Sequence, residues 1–342
     1  MSFFASNNLA FAQLGIELQP SRKLGAEPEG KETQVVRIAQ QYGVAYLPMM
    51  IMRQHRLIEK HTTMARLGNV RVVWNLYPSG KVMNDALRAG LLDIASGGVV
   101  PLLRLWDETR ERAAVKGVAA LSSMPLYLNT RNPNVKTIKD FTDDDRIALP
   151  AVKKSIQAVI LQMAAEQVFG QENYAKLDKL TVSMAHPNAR EALLAGKSNI
   201  TAHLTSPPFQ YQELSDPNIN RVLSSYDVLG GPATFTVMWT RSQFRAANPK
   251  TFDTIYGALK EAMTILKKDY GYAAEVYIQQ ANSGLSPEFV TKVLSQPHVE
   301  FTVVPLNIMK YAKFLYRTGQ IKRVPVNWKE VFFPEIRGEA GS

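Results

Sequence analysis

Small and polar residues follow several predicted strands, at positions where a helix is expected to begin. Tyr42 and Tyr46 follow the first strand, Ser79 the second, and Gly97 and Gly98 the third. The first N–H groups of a helix lack partners within the helix and carry partial positive charge, so such junctions bind anions and polar groups well. The tyrosines add hydroxyl groups and flat apolar walls. We predict a binding site here, although N-cap serines, turn glycines and core tyrosines also occur without a ligand.

A second group of candidates lies further along the chain. Lys153 and Ser155 open a long predicted helix, where a lysine opposes the helix dipole unless an anion is present. Thr205 and Ser206 follow a later strand that contains His203. They are weaker candidates, and a histidine satisfied in the core or at the surface is the plainer interpretation of His203.

No motif of a familiar enzyme or metal site is present. The chain has no cysteine, which excludes disulfides, thiolate zinc sites, iron–sulfur clusters and cysteine nucleophiles. It lacks the nucleophile elbow, the zinc-protease motif, the phosphate-binding loop and the dinucleotide glycine motif. His55 and His61 are not at a metal-ligand spacing on a helix face, and the adjacent Asp143, Asp144 and Asp145 do not form a calcium loop. We therefore expect no catalytic group, cofactor or metal.

Composition is that of an ordinary globular protein. The 342 residues leave room for two domains, and 46% are apolar while 20% are charged. The net charge is +10, but lysine and arginine are spread along the chain, so we expect a solvated basic surface rather than a nucleic-acid site. Attraction to anionic ligands or to a negative membrane surface remains open. No apolar run reaches the roughly 18–20 residues of a membrane helix.

Strand-like and helix-like segments alternate along most of the chain, which predicts mainly parallel sheets. The pattern begins with a strand at Val35–Gln40 and a helix at Leu47–His61. Residues 96–98 are predicted to form a turn, Lys136–Phe141 a short surface helix and Val299–Val303 a strand.

Two stretches of the chain are nearly the same at an offset of 106 residues. Residues 86–94 and 192–200 share alanine, leucine, glycine and isoleucine at matching positions, and Pro101 and Pro207 keep the offset. Each copy is typical of a helix end, a glycine C-cap and a short strand. Two such units predict two α/β lobes of similar plan, with a cleft between them in which a small ligand can bind.

Several degenerate motifs occur in a characteristic order over about residues 34–335. They are Tyr46–Pro48, Ala86–Ile94 with the following 96–98, Val135–Phe141, Ala148–Ser155 and Ala192–Gly196. In order and spacing they resemble the substrate-binding proteins of ABC importers in the nitrate, sulfonate and taurine group. That group shares its fold with thiamine-pyrimidine-precursor binding proteins and the related synthases.

The resemblance implies an α/β, two-lobed type II periplasmic binding protein fold, each lobe a mainly parallel sheet flanked by helices, with two hinge crossings. After a leader at 1–33, lobe I would comprise 34–124 and 233–342, and lobe II 125–232. By position, the rim of the cleft on lobe I would carry Tyr42, Tyr46, Ser79, Gly97, Gly98 and Ser123. The rim on lobe II would carry Lys153, Ser155, Thr205 and Ser206.

The implied function is capture of a small molecule by closure of the lobes, followed by delivery to a membrane permease with its ATPase. We expect a monomer in the periplasm. Ala10 and Ala12 match a signal cleavage site after Ala12, behind a short or truncated signal segment. The expected ligand is a small organic anion, a sulfonate or carboxylate, or a flat heteroaromatic. Tyr46, Met49 and Met50 favour a larger or flatter molecule than a simple sulfonate.

Two other functions remain open. One is an enzyme on the same fold, similar to the pyrimidine-precursor synthases, which are expected to use a cysteine-rich or histidine- and lysine-rich site. The other is a ligand-sensing domain without transport, although the chain carries no helix-turn-helix or kinase segment.

Overall fold

The computed structural model describes residues 32–111 and 114–342, which form two five-stranded sheets. The predicted cleavage site at Ala12 lies outside these residues. The strands of the first sheet are β1 (Val35–Gln40), β2 (Arg71–Leu76), β3 (Ile94–Gly98), β4 (Val115–Ser123) and β10 (Thr234–Arg241). Those of the second are β5 (Tyr127–Thr130), β6 (Ile147–Leu149), β7 (Thr181–Ser183), β8 (Ala202–Thr205) and β9 (Asn220–Ser224).

The two sheets have the same plan. The first has the order β2-β1-β3-β10-β4 and the second the order β7-β6-β8-β5-β9. In each, the first three strands are parallel, and the fourth is antiparallel to both of its neighbours. The sheets are therefore mixed rather than mainly parallel, because β10 and β5 each enter against the direction of the strands beside them.

We call the part that carries the first sheet lobe I and the part that carries the second lobe II. The chain passes from β4 to β5 after Ser123 and returns before β10 at Thr234. Ser123 Oγ lies 2.9 Å from the carbonyl oxygen of Ala233 and 2.9 Å from the hydroxyl of Tyr226, which joins the two crossings. The two crossings between the lobes therefore lie next to each other.

Helices cover the faces of both sheets. In lobe I they are α1 (Leu47–Gln54), α2 (Leu57–Met64), α3 (Gly80–Arg88), α4 (Val99–Thr109), α9 (Ser242–Ala247), α10 (Pro249–Lys268), α11 (Tyr270–Ala281), α12 (Pro287–Leu294), α13 (Ile308–Arg317) and α14 (Trp328–Val331). In lobe II they are α5 (Ile156–Phe169), α6 (His186–Ala195), α7 (Phe209–Glu213) and α8 (Ser225–Leu229). No helix within the described ranges is both long and apolar enough to cross a membrane.

Burial of large apolar side chains stabilises both layers of lobe I. Trp106, Trp239 and Phe252 are among the largest fully buried side chains. Each removes on the order of 150–250 Å² from water, which stabilises the folded state by several kcal/mol. The helices therefore hold the sheet edge, and the loops that follow its strands, in a fixed position.

The repeat of residues 86–94 and 192–200 has the predicted local structure. α3 and α6 each end just before a glycine with positive φ, 72° at Gly90 and 62° at Gly196, and a buried strand follows. The likeness ends at the prolines, because Pro101 lies within α4 whereas Pro207 lies in the loop before α7.

Two predicted boundaries in lobe I are wrong. The helix expected at Leu47–His61 is divided into α1 and α2, because Arg56 adopts a left-handed conformation with φ of 50°. Residues 96–98 are not a turn, because Gly97 and Gly98 pair with Val237 and Thr236 of β10 and so extend β3.

Two other predicted elements do not form. Lys136–Phe141 is a series of turns, in which the Asp140 carboxylate accepts hydrogen bonds from the backbone N–H groups of Lys136 (3.0 Å) and Thr137 (2.7 Å). Such a side-chain bond competes with a helix. Val299–Val303 is extended but has only a single bridge, between Glu300 and Ser123.

Candidate functional site

A small cavity lies between the two lobes, where the carboxyl ends of the parallel strands lead into helices. Its volume is about 20 Å³, room for about one water molecule, so the lobes are closed over it. Lobe I contributes Gln41, Tyr42, Tyr46, Pro78, Gly80, Gly98, Pro101 and Phe235, and lobe II contributes Ser155, Ile156, Gln157 and His186.

Four helices begin at this cavity. Gly80 is the first residue of α3, Gly98 precedes α4, Ser155 is the N-cap of α5, and His186 is the first residue of α6. The positive ends of the helix dipoles therefore meet at one place. No aspartate or glutamate is among the described residues that line the cavity, so nothing there opposes a negatively charged ligand.

Direct contacts hold the lobes together around the cavity. A Cβ added to Gly98 in lobe I would lie 2.7 Å from Cγ2 of Ile156 in lobe II, so only a glycine allows this approach. The backbone N–H of Val44 donates to the carbonyl oxygen of Pro207 at 3.3 Å. Arg104 Nη2 of α4 donates to the carbonyl oxygen of Lys153 at 2.8 Å.

Basic side chains lie at the outer edge of the contact between the two lobes. Lys153 and Lys154 are exposed on lobe II, close to Arg104 of lobe I. Partial burial lowers the pKa of Lys154, and the positive charge of Arg104 lowers it further. The edge is thus positively charged, and it attracts anions from solution.

The structure brings some of the sequence-predicted residues together at the cavity. Tyr42, Tyr46, Gly98 and Ser155 line it. Ser79 lies between two lining residues, and its Oγ accepts from the backbone N–H of Val82 at 3.5 Å, so its hydroxyl caps α3. Burial raises the pKa of Tyr46 far above its usual value, so its hydroxyl remains a neutral hydrogen-bond donor.

The other predicted residues are not among those that line the cavity. Gly97 lies within β3, where a Cβ would be 2.5 Å from Nε2 of Gln41. Ser123 is at the hinge crossings described above, and the side chain of Lys153 is exposed. The structure therefore does not place these three residues on the cavity wall.

Thr205 and Ser206 are completely buried behind the wall formed by lobe II. Thr205 Oγ1 lies 3.2 Å from Nδ1 of His186, which does line the cavity. Ser206 Oγ has no hydrogen-bond partner among the described residues.

Sequence analysis missed several lining residues. Gln157, Phe235 and His186 were not selected, and Gln41, which directly precedes Tyr42, was not chosen as a site residue. α6 begins at His186 and has a proline at its second position. That proline is a signal for the first turn of a helix and would have marked a further strand-to-helix junction.

The site contains no metal centre within residues 32–111 and 114–342, where no three His, Asp or Glu side chains converge to hold an ion. His186 is buried, and burial lowers its pKa well below its usual range, as does the positive charge of neighbouring His203. His186 is therefore a neutral group that can form a hydrogen bond on the cavity wall.

No protein-family model matches this sequence, and no curated protein sequence matches it significantly.

Solved structures with the same architecture cover most of the chain. One is the alkanesulfonate-binding protein of Xanthomonas axonopodis pv. citri bound to MOPS, with 18% identity and a TM-score of 0.65 over 89% of this chain and 99% of that one. Another is the ligand-binding component of an ABC-type import system from Staphylococcus aureus with zinc bound, with 13% identity and a TM-score of 0.67 over 90% and 99%.

A third solved structure is described explicitly by its fold. It is a Candida albicans gene product that exhibits the generic periplasmic binding protein fold, with 15% identity and a TM-score of 0.62 over 85% of this chain and 92% of that one. The present chain therefore has the two-lobed fold of the periplasmic binding proteins, as the sequence resemblance predicted.

Proposed function

We propose that this chain is an exported solute-binding protein that encloses a small organic anion between its lobes and delivers it to the permease of an ABC importer. In this proposal lobe I comprises 34–124 and 233–342, and lobe II comprises 125–232. The protein acts as a monomer and performs no chemistry on its ligand. Names of solved structures with this fold, which include an alkanesulfonate-binding protein and a component of an ABC-type import system, support this function.

The observation that carries the proposal is the convergence of four helix N-termini on a cavity without carboxylates. Free backbone N–H groups at helix starts bind oxyanions, and the aligned dipoles favour negative charge. Tyr42, Tyr46 and Phe235 provide apolar surface for an organic group attached to that charge. A small organic sulfonate or carboxylate has both a negative group for the helix N-termini and an apolar part for the aromatic side chains, so it fits the cavity better than a cation or a sugar.

Closure of the lobes accounts for how such a ligand is held. With about 20 Å³ in the closed arrangement, no organic molecule fits unless the lobes separate further. The two crossings near Ser123 and Thr234 are the connections about which the lobes can rotate. Hinge closure of this kind buries a ligand from both sides and presents one closed surface to a membrane partner.

The proposal predicts selective stabilisation by anions. We would unfold the purified protein in denaturant to remove any carried-over ligand, refold it, and measure its melting temperature with taurine, alkanesulfonates, MOPS, nitrate, carboxylates and pyrimidine precursors. A ligand at a thousand times its Kd stabilises the native state by about 4 kcal/mol, which is several degrees here. Neutral analogues of each active anion serve as matched controls.

Gly98→Val is the control protein for the same panel. The added side chain would collide with Ile156 and keep the lobes apart, so ligand-dependent shifts should disappear. Stabilisation by neutral or cationic solutes, with no response to anions, would contradict the proposed ligand class. An anion that is consumed during incubation would favour the enzyme function instead.

A further inference from the structure

A chain of hydrogen bonds runs from a buried carboxylate to the wall of the cavity in lobe II. Glu213 Oε1 lies 2.6 Å from Nδ1 of His203, and His203 Nε2 lies 2.9 Å from Nδ1 of His186. Glu213 and His203 are completely buried, and His186 is only 6% exposed. At the other end of the chain, Nε2 of His186 lies 3.2 Å from the side-chain amide of Gln157, which also lines the cavity.

The charge of Glu213 has one ionisable partner. The other carboxylate oxygen, Oε2, accepts from the amide Nδ2 of Asn129 at 2.8 Å. Within the described ranges, the only cationic group within salt-bridge distance of Glu213 is His203. An isolated buried carboxylate costs several kcal/mol, so the pair is most stable when it holds one proton between Oε1 and Nδ1 and is neutral as a whole.

That proton decides the direction of every hydrogen bond beyond it. With Nδ1 of His203 engaged with the shared proton, its Nε2 carries a hydrogen and donates to Nδ1 of His186. Thr205 Oγ1, 3.2 Å from the same nitrogen, can donate to it as well. Nδ1 of His186 then acts only as an acceptor, so the single proton of this ring is on Nε2. The side-chain amide of Gln157, 3.2 Å away, then presents its oxygen rather than its nitrogen to that hydrogen.

Two further observations keep His186 neutral. It is the first residue of α6, where the helix dipole disfavours a positive charge. Burial and the nearby charge of His203 both lower its pKa. His186 therefore responds to His203 by changing its tautomer and not by taking up a second proton.

We infer that Glu213 and His203 are positioning residues that hold His186 in the Nε2–H tautomer, so that His186 donates a hydrogen bond to an acceptor oxygen of the bound ligand. This inference rests on the proposed function, and it specifies the group of the ligand that meets lobe II. That group is a sulfonate or ionised carboxylate oxygen, which only accepts. An ammonium group, which only donates, would meet the hydrogen on Nε2 and be rejected.

The opposite proton arrangement makes the opposite prediction. If Glu213 is ionised beside a neutral His203, then His203 Nε2 accepts, His186 donates from Nδ1, and His186 Nε2 becomes an acceptor that faces the cavity. The two arrangements therefore predict different tautomers of His186, with the hydrogen on Nε2 in the first and on Nδ1 in the second.

Nuclear magnetic resonance of the full chain with ¹⁵N-labelled histidine distinguishes them, since there are only five histidines to assign. Long-range ¹H–¹⁵N spectra at neutral pH should show hydrogen on Nε2 and none on Nδ1 of His186. In Glu213→Gln the amide oxygen accepts from Asn129 and the amide NH2 donates to Nδ1 of His203, so Nδ1 of His203 should lose its hydrogen while Nε2 of His203 and Nε2 of His186 keep theirs. Glu261→Gln, which changes the partner of partly exposed His61 (2.7 Å), should leave both buried rings unaltered.

The wild-type spectrum is decisive even if Glu213→Gln does not fold. A wild-type His186 with its hydrogen on Nδ1 would overturn the inference, and so would an Nδ1 signal of His203 that does not change in a folded Glu213→Gln protein.

Binding of propane-1-sulfonate and of butanoate, measured by calorimetry, tests the ligand group separately. Loss of one good hydrogen bond should weaken binding about tenfold in His186→Phe relative to wild type. Equal affinity of the two proteins would overturn the assignment of the acceptor oxygen to His186. If neither anion binds the wild type, the proposed ligand class fails while the tautomer result still decides the proton arrangement.

Discussion

The two lobes have the same sheet plan but bring different chemistry to the cavity. The offset of 106 residues that relates the two repeats also relates His186 to Gly80 and His203 to Gly97. Gly80 and His186 are the first residues of α3 and α6, and Gly97 and His203 lie in β3 and β8. Where lobe II has two histidines, lobe I has two glycines.

The glycines of lobe I leave space that neighbouring side chains fill. A Cβ on Gly97 would lie 2.5 Å from Nε2 of Gln41, and one on Gly80 would lie 2.7 Å from Cγ of Pro101. Lobe I therefore offers backbone and a close-packed surface, whereas lobe II offers a chain of buried polar side chains. The same backbone plan can thus hold a ligand by shape on one side and by a directed hydrogen bond on the other.

The largest difference between the lobes is expected in the unfolding free energy that is lost when Glu213, behind the two histidines, is replaced. Glu213→Ala leaves His203 and Asn129 without their buried acceptor, which should cost about 3–5 kcal/mol of unfolding free energy. Asp107, at the same offset in lobe I, only accepts from the exposed backbone N–H of Lys322. Asp107→Ala should cost less than about 1 kcal/mol. Urea denaturation measures both, and equal losses would show that Glu213 has no special role.

Closure of the cleft depends on a glycine of lobe I. Gly98→Val would place a side chain within 2.7 Å of Ile156, so binding of the most effective anion should weaken by at least about a hundredfold, or about 2.7 kcal/mol. Calorimetric titration measures this loss.

The matched control is Gly284→Val, because a Cβ there meets nothing within 4 Å. It should bind like the wild type. Tight binding by Gly98→Val would mean that the lobes need not approach each other at this point.

Acid should weaken the folded state through the histidine of lobe II. Because burial lowers the pKa of His186, the folded protein keeps it neutral while the unfolded chain takes up a proton near its ordinary value of about 6.5. Its contribution to stability is complete above that pH and falls by about 1.4 kcal/mol per unit below it. In His186→Gln the loss of stability between pH 6.5 and 5.5 should be smaller by about 1 kcal/mol.

Thermal unfolding at several pH values gives this difference, with Asp107→Ala as the reference variant. An identical decline in the wild type and in His186→Gln would contradict the assignment of the acid sensitivity to His186.

The smallest effect is expected at the exposed edge of lobe II. The side chain of Lys153 points into solvent while its carbonyl oxygen binds Arg104, so Lys153→Ala keeps that contact. The Kd should change by less than about threefold at physiological salt, because exposed charges are screened beyond about 8 Å. Stopped-flow association at low salt should show a slower rate that recovers as salt is added. A tenfold loss of affinity would instead place the ammonium group against the ligand.

Much of the site was predictable where local patterns carry the information. Tyr42, Tyr46, Gly98 and Ser155 were recognised because a small or polar residue between a strand and a helix is a local signal, and all four line the cavity. Lys153 was selected by the same signal, but whether a side chain points inward depends on its backbone, and Lys153 has a positive φ of 59°.

Long-range contacts decided the rest. The turn predicted at 96–98 became part of β3 because its partner, β10, comes from a distant part of the chain. His186, His203 and Glu213 carry no spacing that identifies them as a unit, since each lies on a different element.

The sequence by itself determined the alternation of strands and helices, the two related lobes and the helix starts between them, because period, capping and turn chemistry act over a few residues. Only the tertiary structure decided how the antiparallel strands enter each sheet and that the cleft is closed. It also decided that a buried carboxylate stands behind the histidine on the wall of the cavity. Burial and proton sharing depend on what packs around a side chain, and that is fixed only when distant segments meet.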